Sequence, residues 1–180
     1  NLVRTGYTFA GWTVASDGSG TVLVSGSTLT FGAGAINVYA KWTANTYTIS
    51  YNVNGATGAQ ANTSDSYTTG GSAVTLSAVG TMQKAGHTFN GWAITASGTP
   101  ISGSYTTTSD VTLYAQWTLQ EFTLTYDGNG GIAVKTSDSI TYGSLAPITL
   151  PTASRRSYGF KGWYSAPIGG YLIGISGANF

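Results

Sequence analysis

The residues that most readily carry out chemistry are few in this chain. His87 is the only histidine among the 180 residues, and cysteine is absent. A catalytic triad needs a serine and a carboxylate set apart by their context, and no nucleophile-elbow motif surrounds any serine. His87 also shares its place in a recurring pattern with Tyr7 and Tyr158, so the position requires a ring with a polar edge. We therefore predict no catalytic residue and no enzyme activity.

The carboxylates suggest neither an acid–base pair nor a metal site. The six acids fall at differing repeat positions, mostly in predicted loops: Asp17, Asp65, Asp110, Glu121, Asp127 and Asp138. Glycoside hydrolysis requires a carboxylate pair at a set separation, and no such pair stands out. The stretch Asp127–Gly130 resembles the start of a calcium loop, but its counterpart Asn52–Gly55 has no carboxylate, so both are predicted turns. No metal and no cofactor are predicted.

Composition favours short strands joined by tight turns. Charged residues make up 7% of the chain and aromatic residues 13%, and Gly fills 26 positions, a profile unlike that of a disordered chain. Thr, Tyr, Val and Ile beside Gly, Asn and Ser are typical of β-structure. The seven basic residues are scattered and the net charge is +1, which argues against nucleic-acid binding. No apolar run approaches the roughly 20 residues that span a bilayer.

A heptad with the same aromatic, Gly and Trp positions occurs three times. It reads Gly-Tyr-Thr-Phe-Ala-Gly-Trp at 6–12, returns at 86–92, and returns more loosely at 157–163. A second motif, Tyr-Ala-x-Trp, ends at Trp42 and again at Trp117, a shift of 117 − 42 = 75 positions. Recurrence at a constant period identifies a chain of tandem repeats. The residues that carry the two motifs, our predicted structural site, are Gly6, Phe9, Gly11, Trp12, Tyr39, Trp42, Gly86, Phe89, Gly91, Trp92, Tyr114, Trp117, Phe160, Gly162 and Trp163.

The period divides the chain into three parts. Residues 1–43 are predicted to be the C-terminal half of a first repeat, residues 44–118 a complete repeat, and residues 119–180 a third repeat cut before its closing strand. We use the term closing strand for the strand with the Tyr-Ala-x-Trp motif. The chain lacks an initial Met and stops in mid-pattern, so we expect a fragment of a longer polypeptide. Incomplete repeats expose strand edges, so we expect them to be poorly ordered or completed by a neighbouring molecule, which makes chain pairing possible.

Each repeat is predicted to contain several short strands. Residues 46–51 alternate apolar and polar side chains, as residues 121–126 do, and an Asn-Gly turn or its equivalent follows. Weaker strands are predicted at 63–68 and 137–142, and residues 72–80 are either a short helix or extended. The heptad and closing strands follow. Arg4, Lys84 and Arg155 precede each heptad by two positions, where each either lies over an aromatic ring or is solvated.

The heptad leaves open the side on which its Trp lies. In a regular strand Phe9 and Trp12 point to opposite faces. Either a β-bulge at Gly11 turns Trp12 into the core, or Trp12 packs elsewhere, for example at a junction between repeats. A third hypothesis is an exposed aromatic shelf that binds sugar.

This order of motifs resembles the Listeria–Bacteroides repeat, the B-repeat of internalin-type surface proteins. The resemblance covers the whole chain, although Ser157 and Gly159 replace Gly and Thr in the third heptad, so the start of that strand is expected to differ. It implies small β-grasp-like modules of about 75 residues, in tandem, on extracellular bacterial proteins. It also implies stalk or spacer roles, sometimes adhesive, without shared catalytic residues.

Together these features predict a β-rich fold, all-β to α+β, in a non-enzymatic stalk or spacer of a bacterial cell-surface or secreted protein. The alternative is a module that binds glycan or a host protein through exposed aromatic residues. No nucleic-acid binding and no membrane insertion are expected.

Overall fold

The computed structural model describes residues 2–30 and 32–178. Within these ranges the chain forms strands, turns and extended segments, and no helix. The strands are β1 (Tyr7–Thr13), β2 (Tyr39–Ala44), β3 (Thr46–Asn52), β4 (Ser64–Thr68), β5 (Val74–Thr75), β6 (His87–Ala93), β7 (Ser104–Tyr105), β8 (Val111–Leu119), β9 (Glu121–Thr125), β10 (Ile132–Ala133), β11 (Ser137–Thr141), β12 (Ala153–Ser154), β13 (Trp163–Tyr164) and β14 (Leu172–Gly174). The β-rich prediction is therefore confirmed in its all-β form for the described residues.

The complete repeat is built on a four-stranded sheet with the order β4-β3-β8-β6. β3 pairs antiparallel with β4, where Thr46 lies opposite Thr68, and parallel with β8, where Ile49 lies opposite Val111. A tight turn ends β3, because the Asn54 backbone N–H donates to the Asn52 side chain over 2.9 Å and Asn54 has a φ of 51°. The closing strand β8 thus lies in the middle of the sheet.

One face of this sheet carries the core. Ile49 and Leu113 on the adjacent strands β3 and β8 are fully buried, and Tyr51, Trp92 and Met82 pack against them. The apolar residues of β3 and β8 share a face because side chains alternate along a strand. Residues 72–80 are extended rather than helical, and β5 within them pairs with β7.

The described chain divides into two compact units. The first contains the residues up to Lys84 together with Phe89–Trp117, and the second contains Ala85–Thr88 together with the residues from Thr118 onward. The second unit has its own core, in which Tyr126, Leu150 and Trp163 are buried.

The heptad forms a full strand only where a closing strand lies beside it. β1 pairs with β2, and β6 is a neighbour of β8. In the third repeat, strand structure is limited to β13, so the predicted heptad strand is wrong over residues 158–162. A strand needs a partner for its backbone groups. Residues 119–178 contain no counterpart of β2 or β8, and this explains the difference.

Candidate functional site

A β-bulge at the heptad glycine decides where the Trp points. The register of β1 on β2 shifts between Phe9 and Gly11, which leaves Ala10 without an opposite residue. Phe9 and Trp12 therefore lie on the same side, with ring centroids 5.5 Å apart. This geometry corresponds to the bulge alternative. The glycine has a positive φ in all three repeats: 133° at Gly11, 117° at Gly91 and 131° at Gly162.

The heptad Phe lies between two Trp rings wherever the closing strand is present. In the complete repeat, Phe89 makes edge-on contacts with Trp92 at 5.4 Å and with Trp117 at 5.5 Å. Phe9 contacts Trp12 and Trp42 in the same way. Such edge-on pairs stabilise a fold beyond their buried area, by about 0.5–1.5 kcal/mol each. The heptad and the closing strand thus form one packing motif.

The third repeat retains only part of this motif. Phe160 contacts Trp163 at 5.4 Å, and Phe160 is 38% exposed. Trp163 packs on Tyr126 with ring centroids 5.0 Å apart, as Trp92 packs on Tyr51 at 4.5 Å. The Trp side of the cluster is therefore complete in both repeats, and the closing-strand side is open in the third.

The heptad Trp residues differ in burial. Trp92 is 2% exposed and its indole N–H donates to the Ser77 carbonyl over 2.7 Å. Trp163 is 9% exposed and donates to the Pro151 carbonyl over 2.7 Å. Trp12, whose repeat has no counterpart of β3 among the described residues, is 38% exposed. Where a repeat has its first strands, the indole is therefore used inside that repeat.

The closing-strand residues occupy less buried positions. Tyr39 is exposed, and Tyr114 is half-buried. Trp42 and Trp117 are half-buried as well, and the Trp117 indole N–H donates to the Val53 carbonyl over 3.1 Å. These contacts are structural, since each polar group is directed to the backbone or the surface of the same repeat.

A buried tyrosine paired with an aspartate recurs, and the sequence pattern did not reveal it. The Tyr51 hydroxyl donates to Asp65 over 2.5 Å and accepts the Ser77 backbone N–H at 3.0 Å. The Tyr126 hydroxyl donates to Asp138 over 2.9 Å. Burial, and then the hydrogen bond to the carboxylate, raise the pKa of Tyr51 and of Tyr126 to about 12.

This pairing corrects the expectation that the six acids fall at differing repeat positions. Asp65 lies opposite Ile49 and Asp138 lies opposite Leu124, which are equivalent places in β3 and β9. The tyrosines are offset by 126 − 51 = 75 positions but the aspartates by 138 − 65 = 73. A difference of two residues between the strands concealed the equivalence.

The remaining charged groups have structural partners. Asp138 also accepts a hydrogen bond from Lys135, which is the first cause of its lowered pKa. The Arg4 guanidinium lies 3.9 Å from the centre of the Tyr7 ring, so the cation over a ring is observed there. The same stacking recurs at Arg155, whereas Lys84 donates to the Asn54 carbonyl.

Neither the lone histidine nor the calcium-like stretch forms a reactive site. His87 Nδ1 lies 2.7 Å from the Ala85 carbonyl oxygen. The Asp127 carboxylate accepts the Asn129 backbone N–H over 2.8 Å, which makes the stretch a turn. Among the residues that the structure describes, no three His, Asp or Glu side chains come together as metal ligands.

A set of backbone hydrogen bonds joins the first heptad to the complete repeat, inside the first compact unit. The Asn45 N–H donates to the Gly6 carbonyl over 2.9 Å, and the Asn45 carbonyl accepts from the Thr69 N–H over 2.9 Å. Thr8 donates to the Asn45 side chain over 2.6 Å. A Cβ on Gly6 would lie 2.7 Å from Thr69. The link residue Asn45 is therefore held on both sides, and the close approach requires glycine.

The same contacts recur inside the second unit. The Gln120 N–H donates to the Gly86 carbonyl over 2.8 Å, and the Gln120 carbonyl accepts from Tyr142 over 2.9 Å. A Cβ on Gly86 would come within 1.8 Å of the Tyr142 ring. In the third heptad Ser157 takes this position with a φ of 66°, and Tyr158 keeps the turn by donating to the Arg155 carbonyl. The expected difference at the start of this heptad is therefore not seen in the turn.

An open groove is the largest concave feature of the described third repeat. It has a volume of about 640 Å³ and lies between β9 and the heptad segment. Its walls include Thr125, Asn129, Arg155, Phe160 and Trp163. The groove combines aromatic rings with an unpaired strand edge.

Comparisons with known proteins agree with the repeat pattern. The family model of the Listeria–Bacteroides repeat domain matches residues 1–41, 47–116 and 122–171. A protein named "Putative Gly-rich membrane protein" from Evansella cellulosilytica is 34% identical over 91% of the chain, and internalin H from Listeria monocytogenes is 36% identical over 48%. The chain spans only 18% and 16% of the lengths of these two relatives.

Two further findings limit what the comparisons can be used for. No solved structure matches the chain significantly. No helix in the described ranges is long and apolar enough to cross a membrane. With three family matches covering most of the residues, and with the heptad and closing-strand motifs packed together as the resemblance implied, the chain belongs to the Listeria–Bacteroides repeat family.

Proposed function

We propose that the chain is a non-enzymatic spacer or stalk segment of a bacterial cell-surface or secreted protein, made of β-grasp-like repeats of about 75 residues. The names of its relatives, a Gly-rich membrane protein and an internalin, support a surface location. The order β4-β3-β8-β6, with a parallel central pair, supports the β-grasp-like arrangement.

The observation that carries the proposal is the link residue held between backbone partners. Asn45 uses its N–H and its C=O on opposite neighbours, and Gln120 does the same. Each such hydrogen bond contributes about 0.5–1.5 kcal/mol net. A link fixed in this way favours a constant spacing between successive repeats, as a spacer requires.

The aromatic residues favour packing over ligand binding. In the complete repeat the indole N–H of Trp92 and that of Trp117 are both directed to backbone carbonyls. The alternative, a module for glycan or a host protein, needs exposed aromatic side chains. Trp12 and Phe160 are each 38% exposed, and both lie where a neighbouring strand is absent from the described residues. An open edge accounts for their exposure.

Small-angle scattering tests the spacer proposal. Polypeptides with two, four and six copies of residues 44–118 preserve the natural Trp-Thr-Ala-Asn link between copies. A compact module of 75 residues has a radius of gyration of about 11 Å, so each copy should add about 30 Å to the maximum dimension. Growth with the cube root of copy number would overturn the proposal.

The Gly86→Val variant in the same polypeptides is the matched comparison. The side chain would occupy the space where the following repeat approaches Gly86. We expect the scattering of this variant to report a broader distribution of dimensions while each repeat stays folded. Identical distributions would show that the junction does not set the spacing.

A further inference from the structure

The third repeat has a vacant position where the complete repeat holds its central strand. In the complete repeat, β8 lies between β3 and β6. In the third repeat, β9 pairs with β11 on one side, and residues 119–178 provide no strand for the other side. The groove of about 640 Å³ lies at this vacant position.

The backbone of β9 and the residues after it point hydrogen-bonding groups into the groove. The Tyr126 N–H donates to Thr136 over 2.8 Å, on the side of β11. Because successive residues of a strand direct their N–H groups to opposite sides, the Thr125 N–H faces the groove. The equivalent side of β3 is the one that β8 uses, where the Thr48 N–H also donates to Asp110.

The side chains around the groove match the same missing strand. Phe89 of the complete repeat contacts Trp117 of the closing strand, whereas Phe160 at the same position is 38% exposed. Residues 158–162 form no strand, although the equivalent residues of β1 and β6 do. A single strand inserted between β9 and these residues would pair with both and would cover Phe160.

We propose that this groove binds one extended strand from another polypeptide, parallel to β9, with the side-chain pattern of β8. In that pattern apolar residues alternate from Val111 through Leu113 and Ala115 to Trp117. By analogy with β3, the bound Leu would lie opposite Tyr126 and its Trp would pack on Phe160. Strand addition of this kind takes its affinity from main-chain hydrogen bonds and its specificity from alternate side chains.

A second copy of this chain fits the groove less well. Its own closing strand, β2, already carries β1 along one edge. On insertion, β1 would compete with residues 158–163 for the same position. A strand that arrives alone avoids this conflict.

Fluorescence anisotropy with a labelled peptide of residues 110–120 tests the proposal on the 180-residue chain. We expect saturable one-to-one binding, and slower amide exchange of Thr125 and Asp127 in the complex. A peptide with aspartate in place of Leu113 and Ala115 should not bind, since its charges would face the core. Absence of binding by the natural peptide would overturn the proposal.

Two variants of Thr125 separate strand addition from general adhesion. Proline is tolerated at a strand edge whose N–H faces away from its partner, but it removes the hydrogen bond to an added strand. Thr125→Pro should therefore weaken binding at least tenfold, and Thr125→Val, which keeps the N–H, should bind like the natural chain. Equal binding by both variants would contradict the proposed register. Retained exchange protection of Tyr126 shows that the proline variant is folded.

A chain extended after Phe180 by a copy of residues 109–119 provides the competition control. Its added Trp stands at position 189, which is 189 − 163 = 26 positions after Trp163. The corresponding separations in the other repeats are 42 − 12 = 30 and 117 − 92 = 25. The extended chain should fill its own groove and no longer bind the peptide. Undiminished binding by the extended chain, or dimerisation of the natural chain without peptide binding, would refute the assignment.

Discussion

Replacing Trp92 and Trp12 by alanine compares one heptad position in two environments. Trp92 is 2% exposed, packs on Tyr51 and Phe89, and donates to the Ser77 carbonyl. Trp12 is 38% exposed and packs on Phe9. If the heptad is a packing motif, the cost of each substitution should follow burial.

The structure gives the size of the difference. Truncation of a buried Trp to Ala costs about 3–5 kcal/mol, and the Ser77 carbonyl also loses its donor. Trp12 buries 62% of its surface against 98% for Trp92, so its truncation should cost about 2–3 kcal/mol on the same scale. A module of 75 residues has a stability of only about 4–11 kcal/mol. The Trp92→Ala substitution therefore removes a large share of it.

Hydrogen exchange followed by mass spectrometry measures the effect repeat by repeat. We expect Trp92→Ala to lower protection of peptides covering β3 and β8 by about a thousandfold, since each 1.4 kcal/mol is a factor of ten. Peptides covering β9 and β11 serve as the internal reference. Trp12→Ala should act on β1 and β2 with a smaller factor.

Two results would refute this reasoning. A loss of less than about 1 kcal/mol for Trp92→Ala would show that its burial contributes little to the core. A larger loss at Trp12 than at Trp92 would show that burial does not rank the two positions.

Two further substitutions test the backbone and the buried tyrosine. Gly162→Ala should cost about 1–3 kcal/mol, because Gly162 has a φ of 131° and an added Cβ would lie 2.7 Å from the Gly174 carbonyl oxygen. Gly159→Ala meets no atom within 4 Å and should be nearly neutral; equal thermal midpoints for the two variants would contradict the strain. The folded-state pKa of Tyr51 is raised to about 12 from an ordinary value of 10.0, so its contribution to stability is complete below pH 10 and is lost as the pH rises toward 12. Urea midpoints of the natural chain should therefore fall more steeply over this window than those of Tyr51→Phe, and parallel slopes would exclude the effect.

Much of the framework could be predicted because the relevant signals are local. The alternation in residues 46–51 and the following Asn-Gly turn identify β3 and its end. The weaker strands expected at 63–68 and 137–142 are β4 and β11. Alternation and turn chemistry act over a few residues, so one sequence contains the information.

The direction of the heptad Trp could not be decided in this way. Regular alternation and a bulge use the same residues, and only the pairing distinguishes them. The Trp12 N–H donates to Leu23, and Gly11 turns to a φ of 133° against the same segment. The junction between repeats, which was one expected place for Trp12, is instead made by Gly6 at the other end of the heptad.

Non-local pairing also explains the other differences. The third heptad has Phe, Gly and Trp in the heptad order, yet residues 158–162 form no strand, because strand formation depends on a partner far away in sequence. Asp65 and Asp138 were not matched because the spacing from their tyrosines differs by two residues. Neither feature is contained in a window of seven residues.

The first glycine of the heptad has a consequence for how such arrays change in length. Gly6 and Gly86 are each required by a residue of the following repeat, Thr69 or Tyr142, while their carbonyls bond to a link residue through its backbone. Because a backbone contact does not depend on the link side chain, Asn45 and Gln120 are interchangeable in this role. Recombination between two junctions can therefore add or remove whole repeats in one step without a new interface, and length can vary while the sequence of each module changes independently.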